Sequence, residues 1–225
     1  MTSMSEMTEA LGSALHAARR VVDGVGPTEL GRPTPCAGWD VRQLLEHVVG
    51  QHLGFAAAVR DGDADLAAFA PRQLAAGAVA ADWHASADEL VAAFAVAPAA
   101  RPVRLAEIAP DRPLPLPTVA GFQLLDTVVH TWDLARALGR DHRPDAALAA
   151  AVLRLARQVP AGAARRPGGA FAPVLEPASG RAVSVTDDWA EALALLGRDV
   201  AWPTSTGNGT AAGIAAEVGR TVRGR

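Results

Sequence analysis

Proline and glycine divide this chain into helix-compatible segments separated by breaks, and this division is the strongest constraint on its fold. Residues 5–24 contain no Pro and repeat apolar side chains at helical spacing, which predicts a first amphipathic helix. Asp40 followed by Gln43 matches a capping box, in which each side chain bonds the backbone N–H of the other residue. A second helix is therefore expected from residue 41 to about residue 60.

Later segments continue the helical pattern. Residues 118–138 show it strongly and stop before Gly139, a residue type favoured just past a helix end. Residues 144–159 form a further Ala/Leu segment with Pro in the first turn, and residues 86–97 form a shorter helical segment. Six prolines within residues 98–117 exclude a continuous helix there and predict a long loop.

Together these segments predict an all-α fold in which each helix buries one apolar face in a common bundle. We expect residues 1–160 to form this bundle and residues 161–203 to form a short C-terminal appendix that packs on it. Within the appendix, Asp188 and Glu191 could cap a short helix. Residues 204–225 are rich in Gly, Thr and Ala, offer little to bury, and are predicted to be disordered.

The composition of the chain limits its possible binding partners and the residue types that could form a metal site. The formal net charge of -3 gives no broad positive field to neutralise phosphates, so nucleic acid is not an expected partner. No run of about 18 apolar residues occurs and no signal-peptide pattern opens the chain, so we expect no membrane partner and a cytoplasmic location. Cys36 is the single cysteine, which excludes a Cys-rich zinc site. Any metal site must use His and carboxylate ligands.

Three polar residues share one face of the helical segment FQLLDTVVHTWDLARAL. Asp126, His130 and Asp133 stand at positions i, i+4 and i+7. A carboxylate and an imidazole one turn apart can both reach an ion at about 2.0–2.2 Å, but a third ligand must then come from elsewhere in the chain. Asp133 could instead orient His130, or be a solvated carboxylate that pairs with Arg136.

The second helix offers two histidines as the third ligand. His52 lies near the middle of the apolar stripe and His47 lies toward its edge, so periodicity does not choose between them. They are about 140° apart around the helix, so one ion is not expected to bind both. The alternative for each histidine is a hydrogen-bonded core residue with no ligand role.

Three segments of the chain resemble a known family. They read TPCAGWDVRQLLEHVVG (residues 34–50), VVHTWDLARALG (residues 128–139) and ALALLGRDVAW (residues 192–202). The first two resemble the paired signature segments of the DinB-like, mycothiol-dependent maleylpyruvate isomerase N-terminal superfamily. The third is similar to the C-terminal end of the actinobacterial metal-binding branch of that superfamily.

The resemblance implies a DinB-like four-helix bundle that holds one divalent metal ion, usually Zn²⁺, with Ni²⁺, Fe²⁺ or Mn²⁺ as alternatives. Carried over by motif, the metal ligands are His47, Asp126 and His130. Asp126 stands where many relatives have Glu, so its shorter side chain could draw the ion closer to the helix or change which metal binds. His52 matches no ligand position and, like Asp133, is left as a residue that lines the pocket or supports the ligands.

Three protein ligands leave coordination positions open, as catalytic metal sites do. The resemblance implies mycothiol or a similar thiol as co-substrate, and a transferase or isomerase that acts on a small electrophilic molecule. There are two alternatives. One is a hydrolase that uses metal-bound water, and the other is a bundle that binds metal or a small molecule without catalysis. Maleylpyruvate itself is not the expected substrate, because only a short appendix stands where maleylpyruvate isomerase has a substantial second domain. A homodimer is left open.

Overall fold

The computed structural model describes residues 3–36, 38–162, 165, 171–175 and 187–203. Most of these residues are helical, and three short strands form one small sheet. In chain order the elements are α1 (Met4–Val22), α2 (Val41–Asp61), β1 (Asp63–Ala64), a 3-10 helix (Leu66–Phe69), α3 (Val79–Val96), β2 (Pro102–Leu105), β3 (Leu114–Pro115), α4 (Leu116–Ala137), α5 (Ala146–Ala156) and α6 (Asp188–Leu195). The predicted all-α class is therefore corrected to a mostly helical fold with a three-stranded sheet.

Helix α2, which carries both candidate histidines, begins as the sequence predicts. The Asp40 side chain accepts a hydrogen bond from the Gln43 backbone N–H at 2.8 Å, and the Gln43 side chain accepts one from the Asp40 backbone N–H at 3.0 Å. The helix ends at Gly62, whose φ of 85° is a left-handed conformation that glycine adopts without steric cost. Local sequence thus sets both ends of this helix.

The four longest helices of the described chain contact one another around an apolar core. Helix α1 packs on α3 and α4, and helix α2 also packs on α3 and α4. Each helix contributes at least one leucine that is almost completely buried, namely Leu11, Leu44, Leu90 and Leu124. Burying such a side chain stabilises the fold by roughly 1.5–3 kcal/mol. The packing of α2 on α4 is the contact that brings the candidate ligands together.

Two glycines on α2 let the segment that follows it pack closely against the helix. A Cβ atom at Gly50 would lie 2.4 Å from the Ala70 carbonyl oxygen, and one at Gly54 would lie 2.4 Å from the Phe69 ring. Only glycine allows so close an approach. Phe69 is thereby buried edge-on against Phe55, with the ring centroids 5.8 Å apart. This segment covers one face of α2.

The sheet lies partly within the Pro-rich segment that the sequence predicts to be a loop. Strand β2 pairs in parallel with β1 and antiparallel with β3. Val103 and Leu105 are buried while Arg104 between them is exposed, so β2 covers the helices with one face. Pro102 begins β2 and Pro115 ends β3, positions where a missing N–H is tolerated. Pairing with the distant strand β1 leaves no local signal in the sequence.

Helix α3 begins earlier than the predicted segment 86–97 and is one of the four longest helices of the described chain, whereas the predicted segment 144–159 forms the shorter helix α5. Its N-cap residue Ala78 makes no side-chain capping bond, so no start signal precedes Val79. The helix is instead held by tertiary burial of its apolar side chains, Trp83 among them.

The end of the described chain packs back on the helices. Helix α5 contacts both α4 and α6, and Arg157 on one side donates a hydrogen bond of 2.7 Å to Glu191 on the other. The predicted disordered tail, residues 204–225, lies outside the described residues. None of the helices in the described ranges combines the length and the hydropathy that a membrane span requires.

Candidate metal site

The three ligands implied by the resemblance meet between α2 and α4. His47, Asp126 and His130 each offer one ligand atom, and these atoms all lie within 4.8 Å of one another. Asp126 Oδ1 lies 3.8 Å from His47 Nε2 and 3.3 Å from His130 Nε2. Ligand atoms held ~2.1 Å from a tetrahedral ion are about 3.4 Å apart. The three side chains are therefore within the reach of a single ion.

Local and tertiary structure each supply part of this cluster. Asp126 and His130 meet because they are one turn apart on α4. His47 joins them because α2 packs on α4. The side chains of His47 and Asp126 are 22% and 23% exposed and that of His130 is 12% exposed, so the cluster lies at an accessible edge of the core.

Asp126 is held in its charged form. Burial raises the pKa of this carboxyl, but its attraction to His130 and, less strongly, to His47 outweighs burial and lowers the pKa well below its usual range. Its second oxygen, Oδ2, is buried and has no hydrogen-bond partner among the described residues. A half-buried carboxylate with one buried, unsatisfied oxygen beside two imidazoles fits a divalent ion, because the ion would satisfy that oxygen.

His130 lies between two carboxylates. Its Nε2 faces Asp126, and its Nδ1 lies 3.0 Å from Asp133 Oδ2. Burial lowers the pKa of His130, but attraction and hydrogen bonds from the two carboxylates raise it to about 9. With this pKa, His130 carries a proton on both nitrogens near neutral pH in the metal-free protein. Asp133 accepts the bond from Nδ1–H, so an ion would displace the proton on Nε2, which gives the usual arrangement of a histidine ligand.

Asp133 is completely buried and is paired with Arg198, a residue that the sequence analysis missed. Arg198 Nη2 donates to Asp133 Oδ2 at 3.0 Å, and Arg198 Nε donates to Oδ1 at 3.3 Å. Arg136, the alternative partner of Asp133, instead donates to Asp141 at 2.7 Å. The only signal for Arg198 in the sequence is its place in the third segment of the resemblance, since residues so distant in the chain show no shared periodicity.

Trp39 and Cys36 flank the cluster on the side of the loop before α2. The Trp39 ring is half-buried, with its centroid 4.8 Å from that of His47 and 6.4 Å from that of His130. Cys36 Sγ lies 3.6 Å from Arg198 Nη2. Burial raises the pKa of the Cys36 thiol to about 11, which keeps it protonated and unreactive near neutral pH. Cys36 is therefore a poor candidate for a nucleophile.

His52 lies away from the cluster, in the core between α2 and α3. The Ser86 hydroxyl donates to the Trp83 carbonyl at 2.8 Å, so its oxygen accepts the bond from His52 Nδ1 at 2.9 Å. The His52 ring also packs edge-on against the Trp83 indole, with centroids 5.3 Å apart. Burial lowers the pKa of His52 to about 4, so the ring is neutral near pH 7.

Comparisons with known proteins find one matching family model and two relatives. The family model described as the mycothiol maleylpyruvate isomerase N-terminal domain matches residues 11–135, which include all three clustered residues. Two uncharacterized proteins from two strains of Mycobacterium tuberculosis are each 32% identical to the chain over 147 residues, 64% of this chain and 74% of the relative. No solved structure matches the chain significantly. Because the family model spans more than half of the sequence, this chain belongs to the mycothiol maleylpyruvate isomerase N-terminal domain family.

Proposed function

We propose that this protein binds one divalent metal ion through His47, Asp126 and His130 and uses a thiol co-substrate, mycothiol or a close analogue. The thiol would either be transferred to a small electrophilic molecule or add to that molecule and catalyse its isomerisation. The observation that carries the proposal is the convergence of these three side chains within 4.8 Å. The family description, which names both mycothiol and an isomerase, supports the choice of chemistry.

The donor set supports Zn²⁺ as the ion. Two imidazoles and one carboxylate are a common set for zinc with an open coordination position, and the same set also suits Fe²⁺, while Ni²⁺ and Mn²⁺ are further alternatives. Three ligand atoms leave at least one position for a substrate group. The partial exposure of His47 and Asp126 supports access to that position from solvent.

A divalent ion at this site would lower the pKa of a bound thiol and keep it as the thiolate, which is the nucleophilic form. The residues of the chain prepare the site for this role. Asp126 supplies negative charge, His47 and His130 supply nitrogen lone pairs, and Asp133 keeps the His130 proton on Nδ1. The Trp39 ring lies beside both imidazoles.

The proposal extends to the architecture. Helices α1 to α4 would be the four helices of a DinB-like bundle within residues 1–160, with residues 161–203 as an appendix packed on it. The contacts of α1 and α2 with α3 and α4, and of α5 with α6, support this division. A cytoplasmic location, a small-molecule partner and a homodimer stay predictions.

The first experiment is elemental analysis of protein purified without a metal-affinity step. The wild type and His16→Ala, a variant at an exposed histidine outside the site, should carry about one metal ion per chain, whereas His130→Ala should carry none. A wild type that stays metal-free even after Zn²⁺ is supplied would overturn the metal site.

The second experiment tests the thiol. Metal-loaded protein is assayed with an electron-poor aryl halide, on which thiol attack displaces halide ion and forms an absorbing aryl thioether, in the presence and absence of mycothiol. We expect turnover that needs both metal and thiol and that His130→Ala abolishes. Turnover of ester substrates without any thiol would instead indicate a metal-dependent hydrolase.

A further inference from the structure

We infer that Arg198 is a positioning residue for the proposed metal site, acting through Asp133 on the ligand His130. The inference rests on the proposed function, because it concerns the affinity of that site for its ion. Arg198 lies beyond residues 11–135, the part of the chain that the family model matches. The C-terminal segment would therefore support, through Asp133, a site whose ligands all come from the matched region.

The contacts of Arg198 form a continuous chain of hydrogen bonds to the site. Its guanidinium donates to both Asp133 oxygens, at 3.0 Å and 3.3 Å, and also to the Leu196 carbonyl at 3.1 Å and to Cys36 Sγ at 3.6 Å. Asp133 Oδ2 in turn lies 3.0 Å from His130 Nδ1. The Arg198 side chain is only 7% exposed and that of Asp133 is 0% exposed, so solvent does not compete for these bonds.

A specific turn at the end of α6 brings Arg198 to this position. The Arg198 backbone N–H donates to the Leu193 carbonyl at 2.8 Å, and the Gly197 N–H donates to the Ala194 carbonyl at 3.0 Å. These two bonds and the Gly197 φ of 72° define a Schellman motif, which requires a left-handed residue at this point. A Cβ at Gly197 would also lie 2.5 Å from that of Ala172. Glycine here reverses the chain so that Arg198 points back toward α4.

The pairing restricts how Asp133 can move. A carboxylate buried without a cation would rotate toward other donors or take up a proton, and either change would release the His130 ring. A two-pronged guanidinium holds both oxygens in one plane and leaves Asp133 Oδ2 aimed at His130 Nδ1. His130 Nε2 then stays directed toward the place where Asp126 and His47 also point. Such supporting contacts typically change metal affinity by about 10- to 100-fold.

Arg136 offers a matched control for this inference. It donates to the carbonyl oxygens of Val200 and Trp202, so it also holds the C-terminal segment against α4. It makes no hydrogen bond to Asp133 in the described chain. Arg136→Met therefore loosens the same segment without touching the contact that acts on His130.

The test measures Zn²⁺ affinity by competition with a chromophoric chelator and ligand geometry by the visible absorption of the Co²⁺-loaded protein. We expect Arg198→Met to weaken Zn²⁺ binding by about tenfold or more and to alter the Co²⁺ spectrum, while Arg136→Met stays within about twofold of the wild type. Arg198→Lys keeps the charge but not the two-pronged geometry, and it should recover part of the loss.

A double variant separates positioning from folding. Arg198→Met leaves the Asp133 carboxylate buried without its cation and is expected to lower stability, whereas Asp133→Leu/Arg198→Met removes both charges and replaces both with apolar side chains. In the Asp133→Leu background, adding Arg198→Met should change Zn²⁺ affinity by less than about twofold, because leucine accepts no hydrogen bond and the route from residue 198 to His130 is already broken. The inference would be overturned if Arg198→Met weakened Zn²⁺ binding equally in both backgrounds. It would also be overturned if Arg136→Met weakened Zn²⁺ binding as much as Arg198→Met does.

The failure of this inference can be distinguished from failure of the proposed function. If the wild type binds Zn²⁺ and Arg198→Met binds it as tightly with an unchanged Co²⁺ spectrum, the inference is wrong and the metal site stands. If the wild type binds no Zn²⁺ at all, both the metal site and the role of Arg198 are overturned.

Discussion

Asp126 Oδ1 lies 3.3 Å from His130 Nε2 across one turn of α4, the separation expected of two ligands of one ion. The other Asp126 oxygen is buried without a hydrogen-bond partner in the part of the chain that the structure describes. A buried polar atom left unsatisfied costs about 1–3 kcal/mol. This pair is therefore the point at which the folded protein would gain most from binding a cation.

Metal binding should stabilise the folded protein through Asp126. At a free Zn²⁺ concentration about 100-fold above the dissociation constant, linkage predicts a gain of about 2.7 kcal/mol in the free energy of unfolding. Thermal denaturation with and without Zn²⁺ should show a rise in Tm for the wild type and for His16→Ala, and almost none for Asp126→Asn. An undiminished rise in Asp126→Asn would contradict its role as a ligand.

The buried, neutral His52 should make the protein sensitive to acid. The pKa of His52 is about 4 in the folded protein and has its ordinary value of 6.5 in the unfolded chain, so the unfolded state binds more protons between these values. Neutral His52 therefore contributes its full stabilisation of the folded state above about pH 6.5. This contribution is lost as the pH falls toward 4, and the loss is roughly 2–3 kcal/mol at pH 4.5. Urea unfolding of metal-free protein at pH 7 and pH 4.5 measures this loss.

A His52→Gln variant provides the comparison, since Gln can still donate to Ser86 but does not titrate. The loss of unfolding free energy between pH 7 and pH 4.5 should be smaller in His52→Gln than in the wild type by roughly 2–3 kcal/mol. Equal losses in the two proteins would show that His52 does not carry this pH dependence.

The glycine face of α2 should be intolerant of a methyl group. Gly54→Ala places a Cβ 2.4 Å from the Phe69 ring, and the resulting overpacking should lower the unfolding free energy by about 1–3 kcal/mol. Gly12, inside α1, has no atom within 4 Å of its Cβ position, so Gly12→Ala should instead stabilise by about 0.5–1 kcal/mol. Chemical denaturation of the two variants tests the expected decrease and the expected increase in unfolding free energy. If Gly54→Ala left the unfolding free energy unchanged, the close contact with Phe69 would be ruled out.

Cys36 should behave as an unreactive thiol. Burial raises the pKa of this thiol from its ordinary value of 9.0 to about 11, which reduces the thiolate fraction near neutral pH by about 100-fold. Iodoacetamide should therefore alkylate the folded protein far more slowly than the same protein unfolded in urea. In the thiol-dependent assay, Cys36→Ala should keep most of its turnover. Rapid alkylation of the folded protein at neutral pH would indicate an accessible thiolate.

Local sequence by itself determined several elements of this structure. The Asp40 and Gln43 capping box began α2 as predicted, and Gly139 followed the end of α4 as predicted. The spacing of Asp126 and His130 placed them on one face because side chains four residues apart meet on any α-helix. These features rest on contacts between residues near in the chain, so they can be read without the fold.

Tertiary packing decided the rest. His47 and His52 are equally compatible with the periodicity of α2, and only the positions of α3 and α4 direct one toward Asp126 and the other toward Ser86. The strand pairing of Ala64 with Leu105 likewise joins distant residues. Arg198 and Asp133 meet across 65 positions of sequence, through a turn whose direction depends on where α6 packs. Such contacts carry no local pattern, because burial of distant surfaces, and not helix geometry, brings the residues together.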